Sequence, residues 1–247
     1  MSPDEHDVMR SVEDQYWWYV ALRRHVAESI DPRGAEIAIL DAGCGSGGML
    51  QVLRKTFPAA RLTGLDASEY AIGLTNAREI GADLVVGSVE QLPFGDAQFD
   101  CVLSIDVLTA AGVNPRAALS EAHRVLRAGG QFIVNVAAFN FLRGAHDIAV
   151  DVNRRYTRAE VRASLTQAGF DIEQISYWNT LVLPPIAVLR WISRMRAKPD
   201  RARSDFRPLP GLLNVTLHDI ALLELRTGAR VSLPFGTSIF AVARKNA

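Results

Sequence analysis

The chain is poor in cysteine. Its two, Cys44 and Cys101, stand in no CxxC or metal-ligand spacing. That sets aside a disulfide framework and a thiolate metal site, and reads as free thiols of a reducing compartment. Net charge is absent too: 27 Lys and Arg balance 27 Asp and Glu, so no basic excess points to nucleic acid. No apolar run reaches the roughly 18 residues of a membrane span, and no N-terminal signal pattern is seen. The sequence therefore reads as cytoplasmic. It also has no internal repeat and no low-complexity tract.

What is present is length and apolar content. The 247 residues, 49% hydrophobic and 22% charged, suffice for one large α/β domain with a subsidiary cap. Charge is uneven only locally. The first 14 residues are acid-rich (Asp4, Glu5, Asp7, Glu13, Asp14), and residues 190–207 are basic (Arg190, Arg194, Arg196, Lys198, Arg201, Arg203, Arg207).

The most informative stretch is IAILDAGCGSGG, residues 37–48. An apolar run, Ile37 to Leu40, enters Asp41. Gly43, Gly45 and Gly47 then alternate, and Met49 and Leu50 open a helical pattern. This reads as a buried parallel strand turning sharply into a helix. Glycine is needed where the backbone takes unusual angles or comes close to a ligand. Asp41, at the strand's carboxyl end, can offer a carboxylate to a cation or hydroxyl above the turn. The D-x-G-x-G-x-G spacing differs from the G-x-G-x-x-G turn that seats a diphosphate on a helix N-terminus.

More strands follow in register. RLTGLD (61–66) ends in Asp66, about twenty residues on, and Ser68 caps a helix over 68–80 closed by Gly81. LVVGSVEQLPFGDAQF (84–99) holds a third strand and a long loop. FDCVLSIDVL (99–108) is a fourth strand, with Ser104, Ile105 and Asp106 at its carboxyl end. Asn114-Pro115 starts a helix, and RVLRAGG (124–130) ends it with basic residues and two glycines. FIVNVAAF (132–139), FDIEQISYW (170–178) and GTSIFAVAR (236–244) are strands five to seven; Thr157 caps a helix over 158–168.

Four of these elements resemble, in order and spacing, the class I S-adenosylmethionine (SAM)-dependent methyltransferases of small-molecule type. They are DAGCGSG, the strand-two acid, the LPF…FD block and RVLRAGG. The resemblance implies a doubly wound α/β fold with a seven-stranded, mainly parallel sheet, its last strand antiparallel between strands five and six. It implies SAM as cofactor, S-adenosylhomocysteine as product, and no metal. Cofactor contacts would come from Asp41, Gly43 and Gly45, from Asp66 on the ribose with Ala67 beside it, and from Ser104 and Ile105. Ser88, Val89 and Glu90 would lie near adenine, Ser88 standing where relatives usually carry an acid. Asp106 would face the methionine half or the methyl acceptor.

Tyr16, Trp17 and Trp18 would form a lid, since a sulfonium methyl is attracted to aromatic faces as cations are. The loop 140–156 would overhang the acceptor. Its His146, Asp147, Arg154, Arg155 and Tyr156 resemble the HD…RRYT segment of relatives, with Asn153 where a histidine is often found. His146 and Asp147 are the candidate acid/base pair, and Tyr156 a candidate substrate contact.

Three regions are expected: a helical lid (1–36), a SAM-binding core (37–178 with 236–247), and a helical insertion (179–235). In the insertion, Val188, Leu189, Ile192 and Met195 make an apolar face beside Arg190, Arg194 and Arg196. That face fits packing or a homodimer, or contact with an anionic membrane surface. A second insertion helix, 212–228, carries His218 and Asp219 in a structural role. The expected function is methyl transfer to O, N or C of a small, partly apolar metabolite in biosynthesis, without nucleic acid. The alternatives are a non-catalytic SAM-binding module, whose acceptor cavity would be filled by side chains, a membrane-surface methyltransferase acting on a lipid-linked acceptor, and an NAD-dependent oxidoreductase.

Overall fold

A computed structural model describes residues 3–32, 36–184, 187–188 and 209–246, with backbone only at Glu5, Ala145 and His146. Seven strands form one sheet: β1 Ala38–Ala42, β2 Arg61–Asp66, β3 Asp83–Val86, β4 Phe99–Ile105, β5 Leu126–Ala137, β6 Phe170–Trp178 and β7 Ser238–Lys245. Their order is β3-β2-β1-β4-β5-β7-β6. The pairs among β1 to β5 are parallel, while β7 runs antiparallel to both β5 and β6. The expected doubly wound sheet and its inserted last strand are therefore present. The strand order reverses between β1 and β4, and ligands of open α/β sheets bind outside the carboxyl edge at such a point.

Alternation along the strands divides the core into two faces. Ile39, Leu103, Ile133 and Phe240 pack beneath α2 (Trp17–Ser29), α3 (Gly48–Thr56) and α8 (Gly211–Gly228), which bury Leu22, Val26, Leu50, Leu53, Leu222 and Leu225. Leu40, Val102, Val134 and Ala241 face α5 (Pro115–Val125) and α7 (Arg158–Gln167), which bury Leu119, Val125, Val161 and Leu165. All five residues of β1 are buried, as its unbroken apolar run requires.

The N-terminal region is two helices, α1 (Pro3–Val12) and α2. Its second helix and the insertion's α8 lie in one layer. Trp17 N donates to Asn214 Oδ1 at 2.9 Å, Asn214 Nδ2 donates to the Gln15 carbonyl at 2.8 Å, and Arg226 pairs with Glu28 at 2.6 Å. α4 (Glu69–Asn76) is shorter than the sequence pattern suggests; Ser68 Oγ caps it by accepting from Ala71 N.

The RAGG stretch departs from expectation. α5 already ends at Val125, where Leu126 turns extended and starts β5. Leu126 lies opposite Phe99 and Gln131 opposite Cys101, so residues 127–130 bulge out of the ladder, with Gly129 at φ 69°. The glycines thus serve a strand bulge rather than a helix stop. Arg190, Arg194, Arg196, Leu189, Ile192 and Met195 lie outside the described residues. Among the described residues no helix is long and apolar enough to cross a membrane.

Candidate active site

The glycine turn leaves β1 and enters α3 under the β4 tip. Gly43, at φ 100°, has Val107 against it: a Cβ would fall 2.2 Å from that side chain. Gly45, at φ 54°, has nothing within 4 Å of a Cβ position, so its backbone faces open space. Gly45 N and Ser68 N each donate to one oxygen of Asp66 at 2.9 Å, which ties the β2 tip to the turn. Each carboxylate oxygen keeps a lone pair for a further donor.

Asp41 is 2% exposed, and its Oδ2 finds no hydrogen-bond partner. Burial pushes its carboxyl up to about 7; the Arg23 guanidinium pulls the other way and the charge of Asp66 adds to the push. A buried acceptor without a donor is costly, and a cation laid over the turn would satisfy it. The sulfonium and amino group of SAM fit that description, so the residues present suit the cofactor that the motif implies.

A cavity of about 780 Å³ runs from this turn along the carboxyl edge of the sheet. At one end lie Asp66, Ala67, Gly87, Ser88, Val89 and Glu90. Ser88 Oγ accepts from Glu90 N at 3.1 Å, and Glu90 accepts from Asn114 N, pinning this loop to the start of α5. Its roof carries Tyr16, Trp17, Trp18 and Tyr19, and Trp18 stacks on Trp178 at 5.5 Å between ring centres. The wall beyond is mostly apolar: Ala110, Ala111, Leu142, Val150 and Val152. That wall is stitched by Asn153 N to the Thr109 carbonyl and by Ala111 N to the Asp151 carbonyl.

Asp106 stands between the two ends at φ 61°, with its N–H donating to the Asn135 carbonyl at 2.8 Å. Asn135 Nδ2 donates to Asp106 Oδ1 at 3.0 Å, while Asn135 Oδ1 accepts from Trp178 Nε1 at 2.9 Å. Desolvation pushes the Asp106 carboxyl up to about 7, against the Asn135 hydrogen bond and the charge of Arg155. On the same cavity wall, next in sequence to Trp178, Asn179 is 3% exposed, at φ 60°, and its Oδ1 is unpartnered.

Most expected residues meet here: Asp41, Gly43, Gly45, Asp66, Ala67, Ser88, Val89, Glu90, Ile105, Asp106, Tyr16, Trp17, Trp18 and Asp147 all line the cavity. Three do not behave as expected. Tyr156 is 2% exposed and its hydroxyl donates to the Leu108 carbonyl at 2.8 Å; it is absent from the cavity wall. Residues 155–156 run beside β5 through a bridge between Ala138 and Tyr156, so neighbouring side chains alternate and Arg155 takes the cavity side instead. Ser104 is buried within the sheet for the same reason. Asp147 is a counter-ion rather than a free base. Its Oδ1 accepts from Arg155 Nη2 at 2.7 Å and its Oδ2 from Gly144 N at 2.7 Å. The side chain of His146 lies outside the described residues.

The wall also holds groups that the motifs did not indicate. Glu13, 2% exposed, binds Arg23, Arg78 and Ser46 at once. Arg78 adds bonds to the Ser46 carbonyl and to Gln51 Oε1, each at 2.6 Å. The end of α1 is thereby fastened to the glycine turn. A Cβ on Gly48 would fall 2.2 Å from the Arg23 guanidinium, which explains a glycine beyond the alternating three. No local pattern marks Glu13, since its partners are all distant in sequence. Asn179 was findable, because it is the first residue past the β6 tip.

With this geometry in view, residues 40–134 match the sequence profile of the Methyltransferase domain family. The chain carries a class I SAM-dependent methyltransferase domain. A probable SAM-dependent methyltransferase of Mycolicibacterium smegmatis is 30% identical over 173 residues, 68% of this chain and 65% of that one. A fatty-acid O-methyltransferase of the same organism is 36% identical over 118 residues, 46% of this chain and 41% of that one. The chain thus spans about two fifths to two thirds of these curated relatives. The fold of the methyltransferase domain is matched by geranyl diphosphate C-methyltransferase from Streptomyces coelicolor A3(2). That structure was solved with Mg2+, geranyl diphosphate and S-adenosyl-L-homocysteine. Its TM-score is 0.61 at 16% identity, over 92% of this chain and 80% of that one.

Proposed function

We propose that the protein transfers a methyl group from SAM to a small, partly apolar acceptor. The observation that carries this reading is one continuous cavity. It joins an unpartnered buried carboxylate at a glycine turn to an apolar chamber. A non-catalytic binding module would be expected to have that second chamber filled by side chains.

SAM supplies an already activated methyl on a positively charged sulfur, and S-adenosylhomocysteine is left after transfer. The protein's task is then alignment and exclusion of water. Asp41 neutralises the cation, Asp66 receives the ribose hydroxyls, and the Ser88–Glu90 loop borders adenine. Tyr16, Trp17 and Trp18 cover the reacting region with aromatic faces. The chamber of Ala110, Ala111, Leu142, Val150 and Val152 takes the apolar part of the acceptor. A relative named for fatty-acid O-methylation supports an aliphatic acceptor. Free, buried Cys44 and Cys101 support a reducing compartment, as in the cytoplasm.

Calorimetry with SAM and with S-adenosylhomocysteine tests the reading, followed by transfer of labelled methyl to a panel of aliphatic acceptors. Uptake of both cofactor forms and label in an organic extract are expected. No uptake at millimolar supply would refute it.

A further inference from the structure

The relatives leave the acceptor's reacting head open, but the polar groups at the acceptor end do not. Three acids, Asp106, Asp147 and Asp151, line that end against one cation, Arg155. Arg155 is already engaged: it donates from Nε and Nη2 to Asp147 and from Nη1 to the Ala138 carbonyl. Along the cavity wall Glu13 is matched by Arg23 and Arg78, and Asp147 by Arg155, while Asp41, Asp66 and Glu90 join Asp106 as acids with no arginine salt bridge of their own among the described residues. A cationic cofactor is welcome in such a field, and a second anion is not.

Hydrogen-bond chemistry gives the same answer independently. Asn179 Oδ1 is buried, unpartnered and an acceptor. Asp106 has one oxygen bonded to Asn135 Nδ2, and Asn135 Oδ1 is itself taken by Trp178 Nε1. Above the Asp106 carboxyl's value of about 7, its carboxylate and the buried Asn179 Oδ1 both call for a proton donor. A carboxylate ligand has none to give. Asp106, Asp151 and Asn179 are also three of the six non-glycine residues at positive φ among the described residues.

We propose that Asp106 and Asn179 select a neutral acceptor carrying a hydroxyl, whose proton Asp106 receives, and that this end of the cavity rejects a carboxylate head. The proposal rests on the methyltransferase reading above and names its acceptor class. In the step, the acceptor oxygen forms a bond to the methyl carbon as the carbon–sulfur bond breaks. That electron pair stays on sulfur, and the hydroxyl proton passes to the Asp106 carboxylate, leaving later to water. The products are a methyl ether, S-adenosylhomocysteine and protonated Asp106. Asn135 is a positioning residue that holds Asp106 in its orientation.

The test uses the full chain saturated with S-adenosylhomocysteine at pH 8.5, where Asp106 is ionised, with 1-decanol and decanoate as probes. Binding is followed by calorimetry. Decanol is expected to bind at least tenfold more tightly than decanoate. In Asp106→Asn that gap should shrink at least fivefold, because the amide carries no charge. S-adenosylhomocysteine affinity should stay within twofold, and methyl transfer from SAM to decanol should fall at least hundredfold. Asn179→Ala should weaken decanol several-fold and leave decanoate unmoved. If Asp106→Asn does not fold, the wild-type ratio decides by itself. Decanoate binding as tightly as decanol, or uptake of neither probe, overturns this inference alone. Failure to bind S-adenosylhomocysteine overturns the methyltransferase reading and this inference with it.

Discussion

Two carboxylates at strand tips, Asp41 and Asp66, have opposite surroundings. Asp66 is satisfied by two backbone amides, whereas Asp41 is buried with an empty oxygen. In the free protein the Asp41 carboxyl lies at about 7, so it is protonated below that pH and ionised above. A cationic ligand prefers the ionised form. SAM affinity should therefore rise as pH climbs from 6 to 8 and then level off, with a slope that approaches about tenfold per pH unit at the acid end. Calorimetry across that range checks the slope, and Asp41→Asn should flatten it. Arg23 and Asp66, the charges that bear on Asp41, are kept in both proteins. Asp66→Ala should weaken SAM by roughly 1–3 kcal/mol through lost charge-assisted hydrogen bonds; an unchanged titration would contradict the ribose role. Both acids were legible in the sequence, because a carboxylate at the end of an apolar run beside alternating glycines has few other uses. The unpartnered Oδ1 of Asn179 was not legible, since it depends on what the rest of the fold leaves uncovered.

Among the elements, the end of α1 shows how a site can depend on residues with no motif. Glu13 is the shared counter-ion of Arg23 and Arg78, and the Arg78 side chain is 1% exposed. Asp14 also pairs with both arginines, Arg78 at 3.1 Å and Arg23 at 3.6 Å, so removing Glu13 costs less than the about 3–5 kcal/mol of a buried charge left wholly uncompensated. Glu13→Ala should lower stability by about 1–3 kcal/mol in urea denaturation, the cost of the buried hydrogen-bonding groups it leaves unpaired. It should also loosen SAM binding, since Ser46 in the glycine turn loses its anchor. The loop after β5 teaches the converse. Its HD…RRYT composition was readable, yet its facing was not. A parallel bridge to Ala138 assigns Arg155 to the cavity and Tyr156 to the core, and Asp147 follows Arg155 as its counter-ion. One-residue alternation decides which of two neighbours reaches a ligand, and a loop has no apolar period to reveal it.

On the scale of the whole molecule, the seven strands were legible because each had its own apolar run, whereas the antiparallel setting of the seventh came from the family resemblance and not from any run. The layer over the sheet was less so. Lid and insertion look separable in sequence, but α2 and α8 share a hydrophobic cluster with Ile39, Leu103 and Phe240. We expect them to melt with the core. Leu225→Ala, at a site 2% exposed, should cost about 2–5 kcal/mol and lower a single thermal transition rather than split it. Two resolved transitions would argue for independent units. The placement of β7 has a further consequence. Among the described residues β6 pairs with the sheet only through β7, which is made some sixty residues later on the ribosome. Until β7 emerges, β6 has an open edge and β5 lacks its neighbour. Nascent chains halted before Ser238 should thus stay protease-sensitive and depend on chaperones, however well the cofactor half has already collapsed.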